Sequence, residues 1–263
     1  MKKLLRNLLA FCLPLVLSSC EEGLFGPRRT NCLETEQVTN AGLLIQRIYE
    51  RNRITEIQNV NRNGELQSFQ EFTYDNDGRI VQSQNYNAQR NPTSLPLFIT
   101  YNEKGKWAKT TSTNSAGVIF TSAASYNNQD QIIKYTSTTD RAGTITENYT
   151  IDYVWENGNN TLYTYVSPTQ RAVVQYEFDL NQANMRRKDQ EKTAFLSPSV
   201  AFNRNMLKRV TNTTTTGTTT ATTVSDYTYE YNEQGYPVRL TRTANTNSGT
   251  PSTFVTDFSY DCN

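Results

Sequence analysis

The 263-residue chain has no histidine. That removes the Ser-His-Asp and Cys-His catalytic arrangements and every histidine-based zinc site. Cysteine is scarce too, with four in all. No Gly-rich loop follows a strand pattern and opens a helix, so the usual phosphate cradle is missing. Twelve glycines and eight prolines are too few for a disordered tail of this size. No basic patch stands out either. Arg186-Arg187-Lys188 is the one basic cluster, and Asp189 and Glu191 follow it, so it reads as a solvated surface. Nucleic acid is therefore not an expected partner. No catalytic residue, cofactor or metal is expected. A carboxylate pair stays open in principle for glycoside hydrolysis. Yet the Asp and Glu residues mostly fall at turns or on polar strand faces, where a structural role explains them.

Long apolar runs are as rare. The one present extends from Leu8 through Leu17, broken only by Pro14, after the basic Lys2, Lys3 and Arg6. It is too short to span a bilayer as a mature helix and has the build of a signal peptide. It ends in Leu17-Ser18-Ser19-Cys20, which resembles the bacterial lipobox. That resemblance implies cleavage after residue 19 and lipidation of Cys20, with anchoring by more than one acyl chain. Glu21 and Glu22 follow directly and resemble the surface-export signal of Bacteroidetes lipoproteins. The expected address is the outer membrane, lipid-anchored, with the cell surface ahead of the periplasmic face. The expected division is a leader at 1–19, a lipidated start and linker at 20–41, and one β domain at 42–263. Residues 1–19 carry three of the 26 basic residues and no acidic ones, so the mature chain is slightly acidic.

Cys12 leaves with the leader and Cys20 is lipidated. Cys32 and Cys262 remain. The envelope is oxidising, so a bridge between them is expected, with two free buried thiols as the alternative. A bridge would tie the domain's two ends.

What the chain has in abundance is Thr, Asn, Gln and Tyr, arranged in a repeat. The phrase is an apolar or aromatic residue, any residue, an aromatic marker, then Asp, Asn or Glu and a turn. Phe72-Thr73-Tyr74-Asp75-Asn76-Asp77-Gly78 and Ile99-Thr100-Tyr101-Asn102-Glu103-Lys104-Gly105 are full copies, as is Tyr229-Glu230-Tyr231-Asn232-Glu233-Gln234-Gly235. The markers are Tyr49, Tyr74, Tyr101, Tyr126, Trp155, Phe178, Phe202, Tyr231 and Tyr260. Their period of about 26 residues indicates a repeat architecture. Residues before each marker alternate. Tyr149, Ile151, Tyr153 and Trp155 share one face, while Asn148, Thr150 and Asp152 share the other. Strict period two with aromatic and β-branched residues means half-buried strands. Asp or Asn with Gly at the turn supplies the positive φ of a hairpin.

Each unit is thus a hairpin, and eight units predict an all-β antiparallel up-and-down meander of about sixteen strands. The Tyr-Asp/Asn-x-x-Gly phrase resembles the YD repeats of Rhs-type secreted proteins. It is also similar to Bacteroidetes lipoproteins whose domain of unknown function is described as porin-like. The copies at Phe178 and Phe202 lack the turn Gly, and Gln182 to Ala194 reads as an irregular excursion or a short helix. Asp75-Asn76-Asp77-Gly78 looks like the start of a calcium loop but lacks the distal ligand, so a hairpin turn is expected. The Thr-rich runs, Thr110 to Thr113 and Thr211 to Thr223, read as exposed hairpins.

A flat sheet would leave an aromatic face wet and two edges free. The sheet should curl into a closed or flattened barrel with its rings inside, and a Cys32–Cys262 bridge favours closure. A membrane pore is the rival, but Ile80-Val81-Gln82-Ser83-Gln84-Asn85 is polar on both faces after two residues, and Thr211 to Thr223 has no apolar face. Two classes of role follow. One is a surface-displayed, monomeric binding module for a glycan, an apolar or lipid ligand, or a protein partner. Its candidate lining is Tyr101, Tyr126, Tyr153, Trp155, Tyr176, Tyr229 and Tyr231. The other is a structural or assembly scaffold of the outer membrane.

Overall fold

In the computed structural model of the chain, the structure describes residues 32–187, 193, 195, 196, 203–246 and 249–262. The leader and Cys20, Glu21 and Glu22 lie outside them. Sixteen strands occur: β1 (Cys32–Thr39), β2 (Leu44–Glu50), β3 (Arg53–Val60), β4 (Leu66–Tyr74), β5 (Ile80–Asn87), β6 (Leu97–Tyr101), β7 (Trp107–Thr113) and β8 (Ile119–Tyr126). They continue as β9 (Ile132–Arg141), β10 (Thr144–Glu156), β11 (Asn159–Val166), β12 (Gln170–Ala183), β13 (Asn205–Thr216), β14 (Thr219–Tyr231), β15 (Pro237–Thr246) and β16 (Ser252–Cys262). Each pairs antiparallel with its chain neighbours, and β1 pairs with β16, so the meander closes into one barrel. Among the described residues Arg187 alone has helical backbone. Gln182 and Ala183 extend β12, and residues 188–192 and 194 of the expected excursion lie outside the described residues.

The barrel begins earlier than expected. Residues 32–39, assigned above to the linker, form β1 and close the sheet against β16. No aromatic marker announces this strand, because its inward positions carry Glu34 and Gln37 rather than rings. Cys32 and Cys262 are directly paired residues and form a disulfide, with Cα atoms 4.1 Å apart.

Tight turns order both rims. At the rim that holds the chain ends of the barrel, the Asn102 side-chain oxygen accepts the backbone N–H groups of Lys104 and Lys106. Asn127 and Asn232 repeat this two and four residues on. A short polar side chain that closes its own turn is the reason for Asp or Asn after each marker. The fourth turn position has positive φ, taken by Gly78 at 79° and by Asp130 at 60°. The other rim uses the same device at Asn61 and Asn114, where no aromatic precedes it, and at Asn87, which follows Tyr86.

Seven of the nine markers sit at a β-bulge. The register shifts at Tyr49, Tyr74, Tyr101, Tyr126, Trp155, Phe178 and Tyr231. A bulge disrupts the ladder locally, raises twist and re-aims a side chain. Here it aims the ring inward, and the next unit's marker stabilises the disrupted backbone. Tyr74 Oη donates to the Ile54 carbonyl, Tyr101 Oη to Ile80 and Tyr126 Oη to Trp107. Trp155 Nε1 donates to Ile132, Tyr260 Oη to Pro237 and Tyr49 Oη to Glu34. The receiving residues Ile54, Ile80, Trp107, Ile132 and Pro237 are those paired with the preceding unit's marker. Six such rungs stitch unit to unit around the rim.

Residues paired directly across strands share a face. The inward face near this rim is apolar. Ile54, Phe72, Ile80, Ile99, Trp107, Ile132, Tyr153 and Phe195 form a buried cluster contributed by β3 through β10 and by the β12–β13 connection. Toward the other rim the inward positions turn polar, with Asn59 bonded to Ser68, Gln70 to Ser83 and Asn148 to Thr139. The outward face carries charges on several strands, while β6, β8 and β11 have none and expose Phe98, Phe120 and Val166. Arg209 pairs with Asp226 and Arg239 with Asp257, each at 2.6 Å. Lys134 stands opposite Asp152, and Glu56 opposite Glu71. Phe69 is an exception: it lies on the face opposite Phe72, covered by the Tyr86 ring and the Arg90 guanidinium.

Candidate functional site

Among the described residues two markers make no rung, the diverged Phe178 and Tyr231, which follows the diverged copy at Phe202. Phe178 has no hydroxyl to donate, and Tyr231 makes no hydrogen bond to a described residue. The other diverged marker, Phe202, lies outside the described residues. Four asparagines take over the backbone between β11 and β13. Asn159 and Asn160 are buried, at 1% and 0% exposure. Asn159 Nδ2 donates to Asn205 Oδ1 at 3.0 Å, and Asn205 N returns a bond to Asn159 Oδ1 at 2.9 Å. Asn160 N donates to Asn203 Oδ1 at 2.7 Å. Asn205 Nδ2 also reaches the Leu180 and Gln182 carbonyls, where β12 makes a wide bulge. Buried polar groups must be paired, and this set pairs backbone that the missing rungs leave open.

In this gap lies a half-open cavity of about 170 Å³. Tyr176, Phe178, Met206, Leu207 and Tyr229 make its apolar walls, and Asn184, Arg186, Asn203 and Asn205 its polar ones. Tyr176 and Phe178 sit 6.3 Å apart between ring centroids, and Tyr229 and Tyr231 sit 6.0 Å apart. An apolar hollow near 150 Å³ accepts a single six-membered ring. Burial pushes the Tyr229 phenol pKa upward, and the nearby Arg186 charge opposes that. Its hydroxyl therefore stays protonated and able to donate at neutral pH.

Arg186 corrects the sequence reading. It was assigned to a solvated basic surface, yet its side chain is only 16% exposed. It extends from the β12–β13 connection across the barrel to Glu34 on β1, with Nε 2.5 Å from Glu34 Oε2. Its guanidinium lies over the Phe258 ring at 4.5 Å. Arg187 is exposed, and Lys188 lies outside the described residues. Glu34, 4% exposed, also accepts from Gln37 and sits 2.5 Å from Arg47 Nη1. That last contact is an ion pair and not an aligned hydrogen bond.

The seven candidate lining aromatics separate into groups. Tyr176 and Tyr229 line the cavity, and Tyr231 stacks beside Tyr229. Tyr101, Tyr126 and Trp155 are rungs, with their polar atoms bonded to carbonyls. Tyr153 is part of the buried cluster, and its hydroxyl has no partner among the described residues. Phe178, Met206, Leu207 and the asparagines were not singled out for this role. The available signal was the failure of the repeat at Phe178 and Phe202, which marks where the wall changes. Asp75 and Asp77 are paired with Arg79 at 2.7 Å each, within the turn that joins β4 to β5.

No family model and no curated protein matches the chain. Its fold is similar to a solved structure described as a porin-like protein from Bacteroides uniformis ATCC 8492. That likeness covers 90% of this chain and 100% of the other, with a TM-score of 0.60 and 15% identity. The chain therefore has a porin-like barrel fold. At this identity the likeness concerns fold and carries no activity with it.

Proposed function

We propose that this chain is a non-catalytic envelope lipoprotein, anchored through Cys20, whose barrel binds a ring-sized ligand in the cavity at its tethered rim. The observation that carries the reading is a hollow walled by Tyr176, Phe178 and Tyr229 at the one place where the rung pattern stops. Pockets for small ligands are mostly apolar with a few placed polar groups, and this one has that composition. The outward charges on β9, β10 and β13–β16 support a barrel surrounded by water and leave no apolar band of bilayer height there. Eleven residues separate Cys20 from Cys32 in sequence. A fully extended stretch of that length reaches about 40 Å, so the cavity rim would stay close to the membrane.

The test is a thermal-shift screen of the full chain against small sugars, aryl acids and fatty acids. A true ligand at about 100 times its Kd adds about 2.7 kcal/mol. At this domain size that raises the melting temperature by roughly 5 to 11 °C. The shift should vanish in Tyr176→Ala. A ligand that stabilises wild type and Tyr176→Ala equally, or a screen without any hit, refutes the pocket. For the anchor, Cys20→Ser should move the protein from the detergent phase to the aqueous phase. Unchanged partitioning refutes lipidation.

A further inference from the structure

We propose that the cavity takes a ring-sized organic anion, a carboxylate on a six-membered ring, with Arg186 and Tyr229 holding the carboxylate. The inference rests on the cavity being a ligand site and names the chemistry it would recognise.

The charges decide it. One buried carboxylate, Glu34, faces two guanidinium groups, Arg47 and Arg186. No second carboxylate reaches either arginine among the described residues. The triad thus holds one positive charge in excess, with side-chain exposures of 5% for Glu34, 19% for Arg47 and 16% for Arg186. An uncompensated charge away from bulk water is unfavourable and creates a demand for an anion. Arg186 also has donors to offer. Its Nε is bonded to Glu34, and its face lies on Phe258. Its two terminal nitrogens make no hydrogen bond to a described residue, and the side chain lines the cavity. A planar guanidinium matches a carboxylate with two parallel bonds. The Tyr229 hydroxyl, on the same wall, also makes no hydrogen bond to a described residue.

The remaining walls set the body of the ligand. Tyr176, Phe178, Met206 and Leu207 offer apolar surface and ring faces. The asparagine side chains are engaged with each other and with backbone, so they shape the floor. A ring of about benzene size suits the 170 Å³ hollow. Two sources share this chemistry: a sugar acid, whose ring stacks on tyrosine through its C–H face, and an aromatic carboxylate.

The experiment is isothermal titration of the full chain with D-galacturonate and with benzoate. Methyl α-D-galactoside and benzyl alcohol serve as neutral counterparts. At least one acid should bind, at least about tenfold more tightly than its neutral counterpart. The acid that binds identifies the source. Arg186→Gln should weaken that acid by about tenfold or more and the neutral compound by much less. Tyr229→Phe, which removes one oxygen only, should weaken it by several-fold and carries the test should Arg186→Gln fail to fold. Equal binding of acids and neutral counterparts overturns this inference while leaving the pocket intact. Absence of binding by all four probes overturns it, and the pocket reading then stands or falls by the wider screen.

Discussion

Tyr126→Phe isolates a single rung. The substitution removes the hydroxyl whose oxygen lies 2.6 Å from the Trp107 carbonyl and keeps the ring in place. A typical hydrogen bond contributes about 0.5 to 1.5 kcal/mol net, and a buried carbonyl left without a partner adds about 1 to 3 kcal/mol. Removing the hydroxyl also removes its own desolvation, which offsets part of this. The expected loss is about 1 to 2 kcal/mol. For a domain of this size that lowers the melting temperature by roughly 2 to 8 °C. Urea unfolding followed by far-UV circular dichroism should show a lower midpoint with an unchanged slope, since burial of surface is the same. Tyr231→Phe is the internal control. Its hydroxyl makes no rung, so its loss should stay within about 0.5 kcal/mol. If the two substitutions cost the same, or if Tyr126→Phe is silent, the rungs do not hold the repeats together and the ladder argument fails.

Three further outcomes follow from the same structure. Cys262→Ser opens a loop of 230 residues, and on the chain-entropy model this lowers stability by about 5 kcal/mol as an upper figure. Denaturation with and without reductant should differ for wild type and coincide for the variant. Phe195→Ala empties part of the buried cluster and should cost about 3 to 5 kcal/mol, read as a drop in urea midpoint. Burial pushes Tyr101 and Tyr231 up to about 12, above their unfolded value near 10. Their contribution is complete below pH 10 and is lost as pH rises from 10 through about 12. Ultraviolet titration should show delayed tyrosinate formation, and stability should fall across that window. Ionisation of all tyrosines near pH 10 in the folded protein would contradict this.

Much of the barrel is local in origin, and so it was legible. Alternation in Tyr149 to Trp155 depends only on which side of a strand each residue takes. The turn at Asn102 to Lys106 is closed by its own side chain. A count of markers therefore gives sixteen strands, and antiparallel order follows from hairpins. The same turns at Asn61 and Asn114 are not marked in the sequence because no aromatic precedes them, and the turn at Asn87 is unmarked because its Tyr86 falls outside the repeat period. The first strand is unmarked because Glu34 replaces an apolar residue at an inward position.

The sequence by itself determined most of the strands, the turns that follow the markers and the alternation that turns most marker rings inward, because those choices are settled between residues a few places apart. Tertiary structure alone decided the rest. Only closure brings Arg186 to Glu34 across 152 residues of chain, and turns one arginine of a basic cluster that reads as surface into a partner of a buried carboxylate. Only the fitted barrel determines that Tyr101 and Tyr126 hold carbonyls while Tyr176 and Tyr229 face a hollow. The physical reason is that periodicity encodes a side chain's direction, whereas its partner depends on how the whole sheet curls and on what the diverged repeats leave unfilled.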